Sequence, residues 1–297
     1  MSEPLVSIII PCYNSAPYVS RSIESALKQT YNNIELILVD NNSTDNTSNI
    51  LHTYRNHHPD KVFVFYESKP GAPAARNVGL NKARGNWLQF LDSDDELLPE
   101  KIEKQIQAGL KSNANVVIGN YFFSGKKSKK KVCAIKDPWV GLIRSRLGIT
   151  SANLWRKKTL ERVKGWDEAA TSSQEYNLLF RLMAAGYQLS FDDSFNTVIY
   201  ARQESVCKTG DKEKRKAILL NQIMLRLKIL EHLKEHGLLT RHTEKAATEY
   251  IYNHIIMNKL AYPDLYEEFN RKIPVRPSLF FRLKRIIKLE INKLYKK

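Results

Sequence analysis

Over the first 120 residues, short β-branched runs alternate with amphipathic stretches. Residues 5–10, 34–40, 62–66, 87–91 and 115–119 have the length and the Val/Ile-rich composition of strands. Between the first two, Val19, Ile23, Ala26 and Leu27 recur at i, i+4, i+7 and i+8, which places them on one helical face. Pro73 and Pro99 each precede a helical pattern, the second running over residues 101–111, and proline suits a first turn because the amide hydrogen it lacks would have no partner there. The alternation predicts an α/β fold, a mostly parallel sheet flanked by helices.

Beyond residue 120 the pattern changes. Residues 125–131 hold five lysines and no large apolar side chain, and read as a solvated hairpin or loop. Further helical and strand patterns follow at residues 174–185 and 195–200. From about residue 211 the chain is helix-compatible throughout, with breaks at Gly237, Pro263, Pro274 and Pro277. Two domains are expected: residues 1–205, and a helical C-terminal extension over residues 206–297.

Charge refines this division. The formal charge is +16, and from Asp211 onward 20 lysines and arginines stand against 10 acidic residues, so the extension carries most of the excess. A near-neutral body with a basic appendage disfavours nucleic acid as partner, since a nucleic-acid module places its cations on the recognition surface itself. Cys12, Cys133 and Cys207 show no metal-binding or disulfide spacing, and the first apolar run ends at Pro11. These features lead us to expect a cytoplasmic protein, peripheral at the inner face of the membrane if it meets one.

Candidate chemistry sits just after the strands, where ligands bind in open parallel sheets. Pro11-Cys12-Tyr13-Asn14 follows the first strand. Asp40, with Asn41 to Asp45 behind it, ends the second, and Asp92-Ser93-Asp94-Asp95 follows the fourth. A nucleobase is held by an aromatic face and an edge acceptor, which Tyr13 and Asp40 supply. Packing is the alternative role for Tyr13. Carboxylates as crowded as those at 92–95 repel unless a cation or hydrogen bonds offset them, although a helix N-terminus ahead of Pro99 also favours acids.

These segments resemble family-2 glycosyltransferases of the GT-A fold through residues 6–14, Ile37-Leu38-Val39-Asp40, Ala75-Arg76-Asn77-Val78-Gly79 and residues 90–95, over roughly residues 4–205. The resemblance implies inverting transfer from a nucleotide-diphosphate sugar, often a uridine diphosphate sugar, to a hydroxyl of a glycan or lipid-linked acceptor, assisted by Mn2+ or Mg2+. It implies donor contacts at Pro11, Tyr13, Asp40, Arg76 and Asp92, and a metal ligand at Asp94. Gly165-Trp166-Asp167 resembles the family's acceptor-side motif, where Trp166 either stacks on a sugar or belongs to the core. Counting back from Arg181 places Glu175 where the family has its catalytic base.

Two departures stand out. The family's acidic pair reads Gln174-Glu175 here, and Ala201-Arg202-Gln203-Glu204-Ser205 lacks the histidine that many relatives carry. Gln174 leaves open a non-catalytic nucleotide-sugar or lipid-surface binding protein of the same fold. A nucleotidylyltransferase ranks lower, because no glycine-rich basic loop follows the first strand. Finally, Phe280, Leu283, Ile287, Ile291 and Leu294 form an apolar stripe among seven basic residues, with Glu290 alone opposing them. That composition suits a helix on an anionic membrane, and equally one packed on the preceding helices or on a second subunit.

Overall fold

The structure, a computed structural model, describes residues 3–125, 128–201, 210–273 and 276–294. The strands are β1 (Val6–Cys12), β2 (Ile34–Asp40), β3 (Val62–Tyr66), β4 (Trp87–Phe90), β5 (Glu96–Leu97), β6 (Val116–Ser124), β7 (Lys129–Val132), β8 (Leu154–Arg156) and β9 (Leu189–Tyr200). The helices are α1 (Val19–Leu27), α2 (Thr47–His57), α3 (Ala72–Lys82), α4 (Lys101–Ser112), α5 (Pro138–Ile143), α6 (Lys157–Arg162) and α7 (Gln174–Ala184), followed by α8 (Lys212–Glu235), α9 (Arg241–Met257), α10 (Pro263–Lys272) and α11 (Leu279–Leu294).

The sheet runs β3-β2-β1-β4-β8-β6-β9-β5, with β7 paired to β6. Its β3-β2-β1-β4 half is parallel. β8 then enters antiparallel between β4 and β6, so the whole sheet is mixed. β1 and β2 are buried along their entire length, as continuous apolar strands covered on both faces should be. Helix α3 lies so close to β1 that a Cβ on Gly79 would fall 2.2 Å from Ile9 Cγ2, which makes glycine the residue that fits. Buried Glu35 is held by Ser7 Oγ at 2.6 Å and by the Arg84 backbone N–H and Nε, each at 2.7 Å.

Register does most to position the site. Cys12 pairs with Asp40, and Asp40 with Tyr66, so β1, β2 and β3 end side by side. Ile9 pairs with Phe90, which sets the end of β4 against the same edge.

β6 and β9 run further than their apolar cores predict. The outer half of β6 pairs with β7, whose lysines are exposed, and Lys129 Nζ lies 4.2 Å from the centre of the Phe122 ring. The lysines of β7 and the acidic and polar residues inside β9 hide these stretches from a search for apolar runs. β5 and β8, two and three residues long, are too short to leave a pattern.

The chain divides into two compact units, Met1–Lys136 with Arg146–Arg202, and Asp137–Ser145 with Gln203–Lys297. The main division falls near residue 202, and the excursion at 137–145, carrying α5, belongs to the second unit. Arg226, fully buried in the second unit, explains its membership: Nε donates to the Ile143 carbonyl at 3.0 Å and the guanidinium lies 3.9 Å over Tyr250. Leu219, Ile223, Ile251, Ile255, Leu265 and Phe269 form the core of this unit. Helix α9 opens on a Thr240–Thr243 capping box, and Gly237, at φ +66°, turns the chain after α8. Among the described residues no helix is long and apolar enough to cross a membrane.

Candidate active site

At the carboxyl edge of the sheet, the loops after β1, β2 and β3 are stitched together by asparagines. Asn41 donates to the Glu67 and Lys69 carbonyls at 2.9 and 2.7 Å and accepts from the Gly71 N–H at 2.7 Å. Asn14 and Asn42 sit at φ 44° and 62°, left-handed conformations that asparagine tolerates better than most residues. Asn14 Oδ1 accepts from the Thr44 N–H at 2.8 Å, and Asn42 donates to the Ser68 carbonyl at 2.6 Å. Asp45 serves the same frame, accepting from the backbone of Ala16 and Thr47.

This frame leaves Asp40 at the floor of the crevice, buried, with Oδ1 accepting from the Ser43 N–H at 3.1 Å. Pro11 is a buried residue within β1. Tyr13, two residues on, is 60% exposed and has an open ring face.

The Asp92–Asp95 cluster separates into different tasks. Asp95 is turned inward: Oδ2 accepts from Ser151 Oγ at 2.6 Å and Oδ1 from the Tyr200 N–H at 3.3 Å. Burial, and then the charges of Asp92 and Asp94, push its carboxyl well above the usual range. Asp92 faces Arg76 Nη2 at 2.7 Å. Asp94 is half-buried, and its carbonyl accepts from Arg21 Nη2 at 2.5 Å, while Arg21 lies 3.8 Å over the Tyr200 ring.

Arg76 joins this cluster to α7, because Nη1 donates to Gln174 Oε1 at 3.0 Å. The Gln174 amide in turn donates to the Ala170 carbonyl at 3.1 Å. An amide fits here for a physical reason: a carboxylate would accept from Arg76 equally well but would meet Ala170 oxygen against oxygen. Glu175 follows in the first turn of α7, half-buried. Its charge, with that of Asp95, reaches the Tyr121 hydroxyl, whose pKa is raised mainly by burial and opposed by Arg146.

One expected contact needs correction. Trp166 is only 2% exposed; Phe90 meets it edge-on at 5.1 Å and Arg76 lies 4.6 Å over its ring, so it has no free face for an acceptor sugar. Arg76 itself is buried and engaged by Asp92 and Gln174. Asp167 is exposed and accepts from the Ala169 N–H. Arg202 and Glu204 lie outside the described residues.

Four residues escaped the sequence reading. Asn77 brackets Trp166, accepting from its N–H at 2.8 Å and donating to its carbonyl at 2.9 Å. Arg181 ties α7 to the same loop through the Val163 and Gly165 carbonyls. Ser151 links the Asp92 N–H to Asp95, and Tyr121 lies near Glu175. Asn77 was visible beside Arg76, and Arg181 was the residue from which Glu175 was counted, though neither was given a role; Ser151 and Tyr121 are single polar residues without a pattern.

Among the described residues, no group of three or more His, Cys, Asp or Glu is placed to hold a metal ion unaided. A hard divalent ion on a diphosphate needs one or two carboxylates, with phosphate oxygens and water completing its shell. The oxygen donors crowded at Asp92 and Asp94, whose charges press on Asp95 even with Arg76 beside Asp92, fit such an ion.

A parallel nucleotide-type half-sheet, an acidic crevice and a helix bringing one more carboxylate beside it define a GT-A type glycosyltransferase fold. The chain belongs to glycosyl transferase family 2, whose model matches residues 7–167. A glycosyltransferase of Haemophilus influenzae is 42% identical over 123 residues, 41% of this chain and 49% of that protein. The chondroitin synthase of Escherichia coli is 27% identical over 236 residues, 77% of this chain and 34% of the synthase. The chain thus spans between a third and a half of the length of these relatives. Among solved structures, S. aureus TarS in complex with UDP-GlcNAc superposes with a TM-score of 0.67 at 18% identity, over 91% of this chain and 82% of that one. A Pyrobaculum calidifontis mannosyltransferase in complex with GDP-Man and Mn2+ gives 0.59 at 17% identity, over 100% and 89%.

Proposed function

We propose that the protein transfers a hexosyl or N-acetylhexosaminyl group from a nucleotide-diphosphate sugar, a uridine diphosphate sugar in the first instance, to a hydroxyl of a glycan or lipid-linked glycan. Supporting this reading is one observation above others: Arg76 joins Asp92, at the end of β4, to Gln174, the neighbour of Glu175 in α7. A donor carboxylate and a candidate base are thereby held on the same crevice.

In this reading Tyr13 covers the base and Asp40 accepts from its edge, while Asp92 accepts from the ribose. Asp94 would hold a divalent ion, which when bound offsets charge on the leaving diphosphate. Glu175 takes the proton of the acceptor hydroxyl as its oxygen attacks the anomeric carbon. The new C–O bond forms on the face opposite the diphosphate, the old one breaks, and its electron pair leaves with the nucleoside diphosphate, so configuration inverts. Retention of an acceptor for Arg76 at Gln174 supports this over a non-catalytic binding role. The exposed apolar face of α11 supports a membrane-surface location for the acceptor.

The experiment is a screen of nucleotide sugars with Mn2+ or Mg2+, scoring released nucleoside diphosphate. With the donor so found, Glu175→Gln should cut transfer roughly 100-fold or more while donor affinity changes little, the scale of losing a positioned base. Equal loss of binding and transfer would assign Glu175 a structural role.

A further inference from the structure

The C-terminal unit contains a cleft of about 460 Å³ lined by Arg241, Lys245, Thr248 and Glu249 of α9 and by Arg276 and Ser278 ahead of α11. Its three cations outnumber its two acids, Glu244 and Glu249, and Glu249 is already paired with Arg144 Nη2 at 2.8 Å. The cleft is therefore electropositive, and its arginines carry the planar fork that matches phosphate oxygens. Ser278 Oγ accepts from the Phe281 N–H at 3.3 Å, which leaves its own proton to donate.

Thr248 supplies a separate observation. It is 2% exposed, lines the cleft, and its hydroxyl has no hydrogen-bond partner. Within a helix a threonine ordinarily returns this hydroxyl to the carbonyl one turn back, and buried hydroxyls are nearly always paired. Here a buried, unpaired donor belongs to a residue that lines an electropositive cavity far larger than one oxyanion requires.

The surroundings indicate what kind of phosphate fits. Ser278 is followed directly by Leu279 and Phe280, the start of a face continued by Leu283, Ile286 and Ile287; all five are exposed, Phe280 to 78%. The helix packs inward through Phe281 and Leu289 instead, against Tyr252 and Ile256. Exposed Lys284 and Lys288 accompany the apolar face. A cationic cleft at the end of an apolar face complements a molecule with an anionic head and hydrocarbon tails.

We propose that this cleft binds the phosphate headgroup of an anionic membrane lipid, with the exposed face of α11 in the acyl boundary beside it. The proposal rests on the membrane-surface reading of α11 and adds a defined headgroup site to it.

The test is co-sedimentation of the full chain with vesicles of phosphatidylglycerol and phosphatidylcholine, alongside melting temperatures with and without sn-glycerol 1-phosphate. Arg241→Gln with Arg276→Gln should lower partitioning about tenfold more than Lys284→Gln with Lys288→Gln, because guanidinium forks add directed hydrogen bonds to plain charge. Thr248→Val, which keeps the shape and removes the donor, should lower it about threefold, consistent with one lost hydrogen bond. Equal losses from the two charge pairs, or wild-type partitioning by Thr248→Val, would overturn the site. Stabilisation by sn-glycerol 1-phosphate without vesicle binding would overturn the lipid as its source. If the arginine pair unfolds the chain, Thr248→Val carries the decision. A wild-type chain that ignores vesicles defeats the membrane reading itself, and donor hydrolysis, measured in parallel, reports on the transferase reading separately.

Discussion

The carboxyl edge of the sheet and the last helix handle their polar and apolar groups in opposite ways. At the sheet edge, Asn41, Asp45, Arg76 and Asp95 are each bound to two or more partners within the chain, and the loops they hold cannot shift independently. In α11 five large apolar residues, Leu279, Phe280, Leu283, Ile286 and Ile287, face outward, and two lysines stand exposed among them. The first arrangement suits chemistry, in which reacting groups must be held to fractions of an ångström. The second suits a surface completed by something outside the chain. Rigidity and incompleteness are thus assigned to separate units of one chain.

The sharpest way to break this contrast is to disturb the crevice. Asp94→Ala should abolish metal-dependent turnover, a loss of at least about 1,000-fold, the scale of removing a major electrostatic stabiliser; turnover at the wild-type rate would remove Asp94 from the metal site whatever the fold. Glu175→Gln, already considered, comes next. Arg76→Lys keeps the charge but cannot fork to both Asp92 and Gln174, and should lower kcat roughly 10- to 100-fold with a smaller change in KM. If kcat and the melting temperature fell together, Arg76 would be a packing residue.

Smaller effects sharpen the other side. Leu283→Asp with Ile287→Asp should leave donor hydrolysis at the wild-type level and the melting temperature nearly unchanged, since both residues are exposed, while removing vesicle binding. Loss of hydrolysis would mean that this face serves the catalytic unit.

The smallest effect comes from an exception within the sheet unit. Lys101 is fully buried and its Nζ has no hydrogen-bond partner; burial drives its pKa well below the ordinary lysine range, with Asp192 opposing. The unfolded chain holds this proton up to a pH of about 10.4, whereas the native chain has released it at a lower pH. Stability contributed at this site therefore rises with pH between those two values. Lys101→Met should raise the melting temperature roughly 2–4 °C, about 1 kcal/mol in a domain of this size, and flatten that rise. An unchanged slope on differential scanning would show that Lys101 keeps its proton in the native state.

What the sequence made legible follows from the kind of signal each element carries. A strand buried on both faces such as β2 is a continuous apolar run, and the half-buried edge strand β3 keeps an unbroken run of valine and aromatic residues, so both were readable to the residue. The amphipathic pattern of α4 and the prolines and glycine that break the C-terminal helices were readable for similar local reasons. Asp40 and Asp94 stood out because acids at strand ends lack a packing purpose. Trp166 shows the limit. Its place in a motif suggested an open face, but burial depends on Phe90 and Arg76, 76 and 90 positions away in the chain, and no local pattern encodes that. The apolar stripe of α11 was legible, whereas its outward orientation was not, because it depends on which face α9 accepts through Tyr252 and Ile256. The side chains of Ile291 and Leu294 lie outside the described residues.

The amide at Gln174 also bears on proton counting in the crevice. A carboxylate in its place would titrate with its neighbour Glu175, and the two would lose protons in steps belonging to the pair. With glutamine, the link from Arg76 to α7 carries no titrating group on the α7 side. Protonation that silences the base should therefore involve no second carboxylate on α7, and that link should persist in acid after the base has been silenced.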